Sequence, residues 1–231
     1  MTRGVLYMVW GDEARREAAR SIESVRAFGL DCHVHEMDDG SRLTDKALMG
    51  TCSPFDETLF LDSDTVVLDD PSFGFEMAAR HGLALSIAPA CWARRQWEED
   101  PGARGRVGAE LVEYNTGVVF FKKGSETRNL FARWREVAED YGWCDQWSFA
   151  QAVDDRGVNP FVLPPNWNFR ASPLETPVFG PIKVWHTREP VPENASRWNR
   201  GPIRWGKIED GRIVPLTAEN DPDDSNRGGR R

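Results

Sequence analysis

The sequence predicts one α/β domain built on a mostly parallel sheet flanked by helices. Three observations predict it. Gly4–Trp10 and Asp31–Met37 read as strands on either side of a helical period, which is the spacing of a βαβ unit. Further short apolar runs at Thr58–Leu61, Leu83–Ala88 and Tyr114–Phe121 suit buried strands, with helical segments between several of them. At 231 residues the chain has the size of one domain with a substantial core.

In chain order, Gly4–Trp10 opens the fold as a buried strand. Asp12 is expected to cap the helix that follows. Ala14, Ala18, Ile22, Val25 and Phe28 recur at spacings of three and four, and Gly29 supplies the stop. Asp31–Met37 alternates as a second strand, and a short helix runs through Lys46 to Met49. Thr58–Leu61 follows the Pro54 turn. After Pro71 come a short helix over Phe75–His81 and the strand Leu83–Ala88. Pro89–Gly108 has no period, and a loop of about 20 residues inside a domain is commonly functional. Ser125 is placed to cap an amphipathic helix whose apolar face holds Leu130, Phe131, Trp134, Val137, Ala138 and Tyr141. A further helix begins at Trp143–Gln146 and runs to about Asp154. Asn159–Leu163 and Lys183–His186 complete the strands. The domain is expected to span 1–217, and the wholly polar stretch from Ala218 onward to be a disordered tail.

Composition narrows function. Lys plus Arg is 29 against 37 Asp plus Glu, a net charge of -8, which argues against a general binder of nucleic acid or anionic membrane. An anionic substrate would then need a metal ion or a local basic cluster. No apolar run approaches the ~18 residues of a membrane span, and no signal peptide is evident. Cys32, Cys52, Cys91 and Cys144 show no C-x-x-C spacing, so a reduced cytoplasmic protein is expected.

The chemistry concentrates at Asp62 and Asp64, delivered at the carboxyl end of the Thr58–Leu61 strand. Residues i and i+2 of extended chain share a side about 7 Å apart, so two carboxylates there can converge on a divalent cation. Ligands of open α/β sheets sit outside the carboxyl ends of the strands. A lone D-x-D also ends strands for purely structural reasons, so the remaining motifs must decide.

Those motifs are SPFDETLFLDSDTVVL (53–68), YNTGVVFFKKG (114–124), DQWSFAQAV (145–153), LPPNWNFR (163–170) and VWHT (184–187). In this order they resemble GT-A glycosyltransferases, close to glycosyltransferase family 8 and related nucleotide-diphospho-sugar transferases. The resemblance implies a metal-dependent transfer of a hexose from a nucleotide-diphosphate sugar, a UDP-sugar by expectation, to a carbohydrate or other hydroxyl acceptor. It implies that Asp62, Asp64 and His186 hold Mn2+ or Mg2+. It assigns Val9, Trp10 and Gly11 to the nucleobase edge, Lys46 and Ser63 to the sugar nucleotide, and Asn115 and Gly117 to the sugar pocket. Asp145 would orient sugar hydroxyls, and Gln146 would turn its amide oxygen to the anomeric carbon in a retaining transfer. The loop residues Trp92, Arg94, Arg95 and Trp97 are expected to meet the acceptor. Oligomeric state is not legible.

One departure stands out. The family follows its histidine with Gly and Lys on the diphosphate, whereas here the chain reads His186-Thr-Arg-Glu-Pro, leaving Arg188 for the phosphate. Two rival classes share features with the chain. Haloacid-dehalogenase-type phosphatases carry a similar D-x-D-x-T, with the first Asp as nucleophile, but on their first strand and without a late His. A catalytically inactive, Trp-rich sugar or nucleotide-binding module is the other. A sugar nucleotidyltransferase fits less well, because WGDEARR stands where its Gly-rich loop would be.

Overall fold

A computed structural model describes residues 1–88, 111–141, 144–171 and 177–216. The expected acceptor loop 89–108 and the expected tail lie outside those residues.

The central sheet has six strands: β1 (Arg3–Val9), β2 (Asp31–Glu36), β3 (Glu57–Leu61), β5 (Leu83–Ile87), β6 (Tyr114–Lys122) and β7 (Phe161–Leu163). Their order is β2-β1-β3-β6-β5-β7. The β1–β2, β1–β3 and β5–β7 pairs are parallel, and β6 runs against both β3 and β5. This is the expected mostly parallel sheet with one reversed strand. The reversal matters, because it brings the start of β6 to the carboxyl ends of its neighbours.

Alternation along the strands feeds two cores. Leu6, Phe60 and Phe121 face α4 (Ser125–Tyr141) and α5 (Asp145–Arg156), with Trp134 and Trp147 buried among them. Val5, Leu59 and Phe120 face α1 (Gly11–Arg26) and α3 (Ser72–His81). Every residue of β3 is buried: Glu57 pairs with Arg3, while Leu59, Phe60 and Leu61 make its apolar run. Burying such side chains contributes about 1.5–3 kcal/mol each. The expected face of α4 is buried at Leu130, Phe131, Trp134, Val137 and Ala138.

Helix starts differ in detail from expectation. Trp10, not Asp12, is the N-cap of α1, and Asp12 lies in the first turn, where an acidic side chain still meets the positive end of the helix dipole. Ser125 is the first residue of α4. Between β2 and β3 the chain forms a 3-10 segment (Leu43–Leu48) and one helical turn, α2 (Met49–Cys52). β4 (Thr65–Val67) pairs with β9 (Val184–His186). A small sheet of β8 (Val178–Phe179), β10 (Trp205–Glu209) and β11 (Arg212–Pro215) packs with α6 (Ala195–Arg200). Phe169, Trp185, Trp198 and Ile213 form this third core.

Candidate active site

β3 delivers Asp62, whose backbone N–H donates to the Gly117 carbonyl of β6 at 2.8 Å. The chain then reverses: the Thr65 N–H and hydroxyl both donate to the Asp62 carbonyl, at 3.3 and 2.8 Å. Asp64 therefore lies at the start of β4, next to β9, in a register that sets Thr65 opposite His186. The Thr187 N–H donates to the Asp64 carbonyl at 3.1 Å. As a result His186 Nε2 lies 3.2 Å from Asp64 Oδ1 and 3.6 Å from Asp62 Oδ2. One ligand atom from each of the three residues lies within 4.8 Å of the others.

Gly117 backs directly onto this cluster. A Cβ there would collide with the His186 imidazole and the Asp62 carboxylate. Glycine at this position is a requirement of close approach.

The Phe169–Trp185 bridge fixes the imidazole. It lays residues 168–170 parallel to β9, with the Phe169 ring 5.3 Å from that of Trp185 in the third core. Asn168 and Arg170, on the other side of that strand, both reach His186. Asn168 Oδ1 is 2.6 Å from Nδ1, and Arg170 Nη1 is 2.8 Å from Nε2. A guanidinium only donates, so Nε2 accepts, and Nδ1–H donates to Asn168. That tautomer turns the Nε2 lone pair toward Asp62 and Asp64. Two carboxylates and one oriented imidazole nitrogen fit a divalent cation such as Mn2+ or Mg2+.

Charge agrees with that fit. Lys46 is buried, with Nζ 2.7 Å from Asp62 Oδ1 and 3.1 Å from Asp145 Oδ2. Burial alone would lower its pKa, but Asp145 and Asp62 outweigh that and keep it charged. Burial likewise opposes ionisation of Asp64, and the positive charges of Arg170 and Lys46 favour it. Three carboxylates (Asp62, Asp64, Asp145) face two fixed cations (Lys46, Arg170), so the cluster carries one surplus negative charge.

Asp145 is not the N-cap of α5; Cys144 is. The Asp145 carboxylate instead accepts from the Thr116 hydroxyl at 2.5 Å and pairs with Lys46. Gln146 Oε1 is buried and has no hydrogen-bond partner among the described residues. Such an orphan acceptor costs about 1–3 kcal/mol and marks a place where a ligand can donate. Asn115 is buried, and its Oδ1 accepts from the Gly117 N–H at 3.0 Å. Just before it, burial pushes the Glu113 carboxyl up to about 7; the Trp147 indole opposes the rise and the charge of Asp145 adds to it.

A cleft of about 460 Å³ opens from the cluster along the start of α1. Trp10, Gly11, Lys46, Ser63 and Arg188 line it together with the three candidate ligands. Val9 lies just behind, its carbonyl accepting from the Met37 N–H. Ser63 donates to Glu17 at 2.9 Å, and exposed Arg188 pairs with Glu17 at 2.9 Å and Glu13 at 3.3 Å. The sequence reading did not single out Glu17, Thr116, Asn168 or Arg170. The last two had a signal, since N-F-R alternates polar and apolar beside a histidine strand.

No family model and no curated protein matches the sequence. Solved structures do. Over 81% of this chain and 98% of the other, the fold matches that of mouse xyloside xylosyltransferase 1 in its apo form, with a TM-score of 0.51 at 15% identity. The glycosyltransferase GlyE of Streptococcus pneumoniae TIGR4 matches over 87% of this chain and 57% of its own length, with a TM-score of 0.50 at 14% identity. The chain has the GT-A-like fold of these glycosyltransferases, and at such identities the likeness concerns the fold alone.

Proposed function

We propose that the chain is a divalent-metal-dependent glycosyltransferase that moves a hexose from a UDP-sugar to a carbohydrate or other hydroxyl acceptor, with retention of configuration. The observation that carries this reading is the Asp62–Asp64–His186 cluster, with the Nε2 lone pair turned inward at the carboxyl edge of a GT-A-like sheet. Asp62, Asp64 and His186 would hold the cation, which would supply a Lewis acid for the charge on the departing nucleotide.

The chain's own residues do the rest. Trp10 and Gly11 border the nucleoside end of the cleft, and Ser63 and Lys46 border its phosphate and sugar end. Arg188 turns from Glu13 and Glu17 to the diphosphate. Lys46 and Thr116 both hold Asp145 Oδ2, which leaves Oδ1 for the sugar hydroxyls. Gln146 offers its unused amide oxygen to positive charge developing at the anomeric carbon. The free thiols of Cys32, Cys52 and Cys144 support a reducing, cytoplasmic setting. Among the described residues no helix is long and apolar enough to cross a membrane.

The test is a screen for nucleotide release with Mn2+, using UDP-glucose, UDP-galactose and UDP-xylose, the last because a xylosyltransferase shares the fold. Release of UDP from at least one, lost in Asp64→Asn, is expected. Saturable Mn2+–nucleotide binding with no turnover on any donor or acceptor would favour a binding module instead. Phosphate release from a simple phosphomonoester would favour the phosphatase reading. Proton NMR of the first product should show an α linkage.

A further inference from the structure

Arg170 holds the atom on which the site depends. Its Nη1 lies 2.8 Å from His186 Nε2, the lone pair that a cation between Asp62 and Asp64 requires. One lone pair serves one partner at a time, so a cation bound by all three ligands must displace this hydrogen bond. The displaced guanidinium does not leave the cleft. Phe169 is anchored in the third core, and the bridge to Trp185 holds the backbone just before Arg170 beside β9. The displaced group is then a positive charge next to a metal ion that engages the Asp62 and Asp64 carboxylates, an arrangement that a further anion joining the two would favour. Phosphate oxygens supply that anion, and guanidinium binds them in paired fashion.

We propose that Arg170 competes with the divalent cation for His186 Nε2 and, once displaced, binds the diphosphate of the sugar nucleotide, so that metal and nucleotide bind cooperatively. This rests on the reading of Asp62, Asp64 and His186 as the metal site of a nucleotide-sugar enzyme. It assigns to Arg170 a role that the sequence motifs do not give it, beside the one proposed for Arg188. Each ligand improves the other's affinity by the same factor, as linkage requires.

The experiment is a set of calorimetric titrations on wild type, Arg170→Gln and Arg170→Lys, each checked for an unchanged melting temperature. Mn2+ is titrated alone, and UDP is titrated with and without saturating Mn2+. In Arg170→Gln, Mn2+ alone should bind about tenfold more tightly, and UDP in the presence of Mn2+ about tenfold more weakly, within the usual range of coupling between sites. The coupling factor should fall about tenfold, the remainder being the cation's own hold on the diphosphate. Arg170→Lys keeps the charge but loses the fork and should lie between. A residue that merely steadied His186 would weaken both affinities together when replaced, and that parallel loss, or no change in either, overturns the inference alone. A wild type that binds no Mn2+ with or without UDP overturns both the inference and the metal-dependent reading.

Discussion

The 3-10 segment Leu43–Leu48 contributes to two hollows of similar size and opposite character. Ala47 and Leu48 help line one of about 530 Å³, floored by Phe121 and Phe131, with Lys123, Arg128, Arg135, Glu136 and Glu139 around it. Leu43 and Lys46 help line the cleft of about 460 Å³ that holds Asp62, Asp64 and His186. Volume and apolar lining favour the first as a ligand site, yet it gathers no buried ionisable group. The second keeps Lys46 and His186 out of water and aims three carboxylates at them. Taking charges out of water costs several kcal/mol per ion, so their convergence is more informative than the size of a hollow. The lesson is that desolvated, mutually oriented charge locates the chemistry here.

The sharpest way to break that contrast is to remove the buried cation. Lys46→Met leaves Asp62 and Asp145 facing each other without a counter-ion. It should cost about 3–5 kcal/mol in stability by urea denaturation, as breaking a buried pair typically does. A loss below about 1 kcal/mol, the range of exposed pairs, would mean that this cleft is no more demanding than the other hollow.

Next in size is the pH dependence set by Glu113 at the site end of β6. Its carboxyl holds a proton up to about 7 in the folded chain, whereas the ordinary value is 4.5. Between those values the folded state binds more protons than the unfolded one, so stability falls as pH rises through that window. The fall should be on the order of 2–3 kcal/mol. Glu113→Gln should flatten it. Denaturation midpoints at pH 5 and pH 8 for the two proteins measure this, and an equal slope in both would sink the assignment.

A smaller effect is expected at Gly117. Gly117→Ala drives a methyl group against His186 and Asp62. Mn2+ affinity should drop about 10–100-fold, the usual cost of disturbing a ligand's support, with metal-free UDP binding little changed. The smallest effect belongs to the apolar hollow. Ala132→Phe, at an exposed position on its wall, should leave UDP affinity within about twofold, since distant sites rarely couple. A larger change would make that hollow part of the functional region.

Much of this was legible in the sequence, for physical reasons that also set its limit. β1, α1, β2 and β3 announce themselves through period and length, and β3 leads straight to Asp62 and Asp64. Lys46, Asp145, Gly117 and His186 were named from motifs, and the structure brings them to one cluster. What one residue does for another was not legible. Asp145 was expected to orient sugar hydroxyls, but nothing in its motif showed that its carboxylate pairs with Lys46 and Thr116. Asn168 and Arg170 act through a bridge to β9 that pairs segments distant in sequence. β4, β8, β10, β11 and α6 are too short for a period to emerge, and tertiary pairing alone defines them.

The central claim is that Asp62, Asp64 and His186 bind a divalent cation that in turn holds a nucleotide diphosphate. Calorimetry of UDP with and without Mn2+, on wild type and on Asp64→Asn, tests it most directly. Asp64→Asn leaves Asp62 and Asp145 balanced by Lys46 and Arg170, so the fold should survive. Tight binding is expected only for wild type with Mn2+, and the other three combinations should be weaker by at least about tenfold, or about 1.4 kcal/mol. Equal UDP affinity in all four combinations would contradict the account.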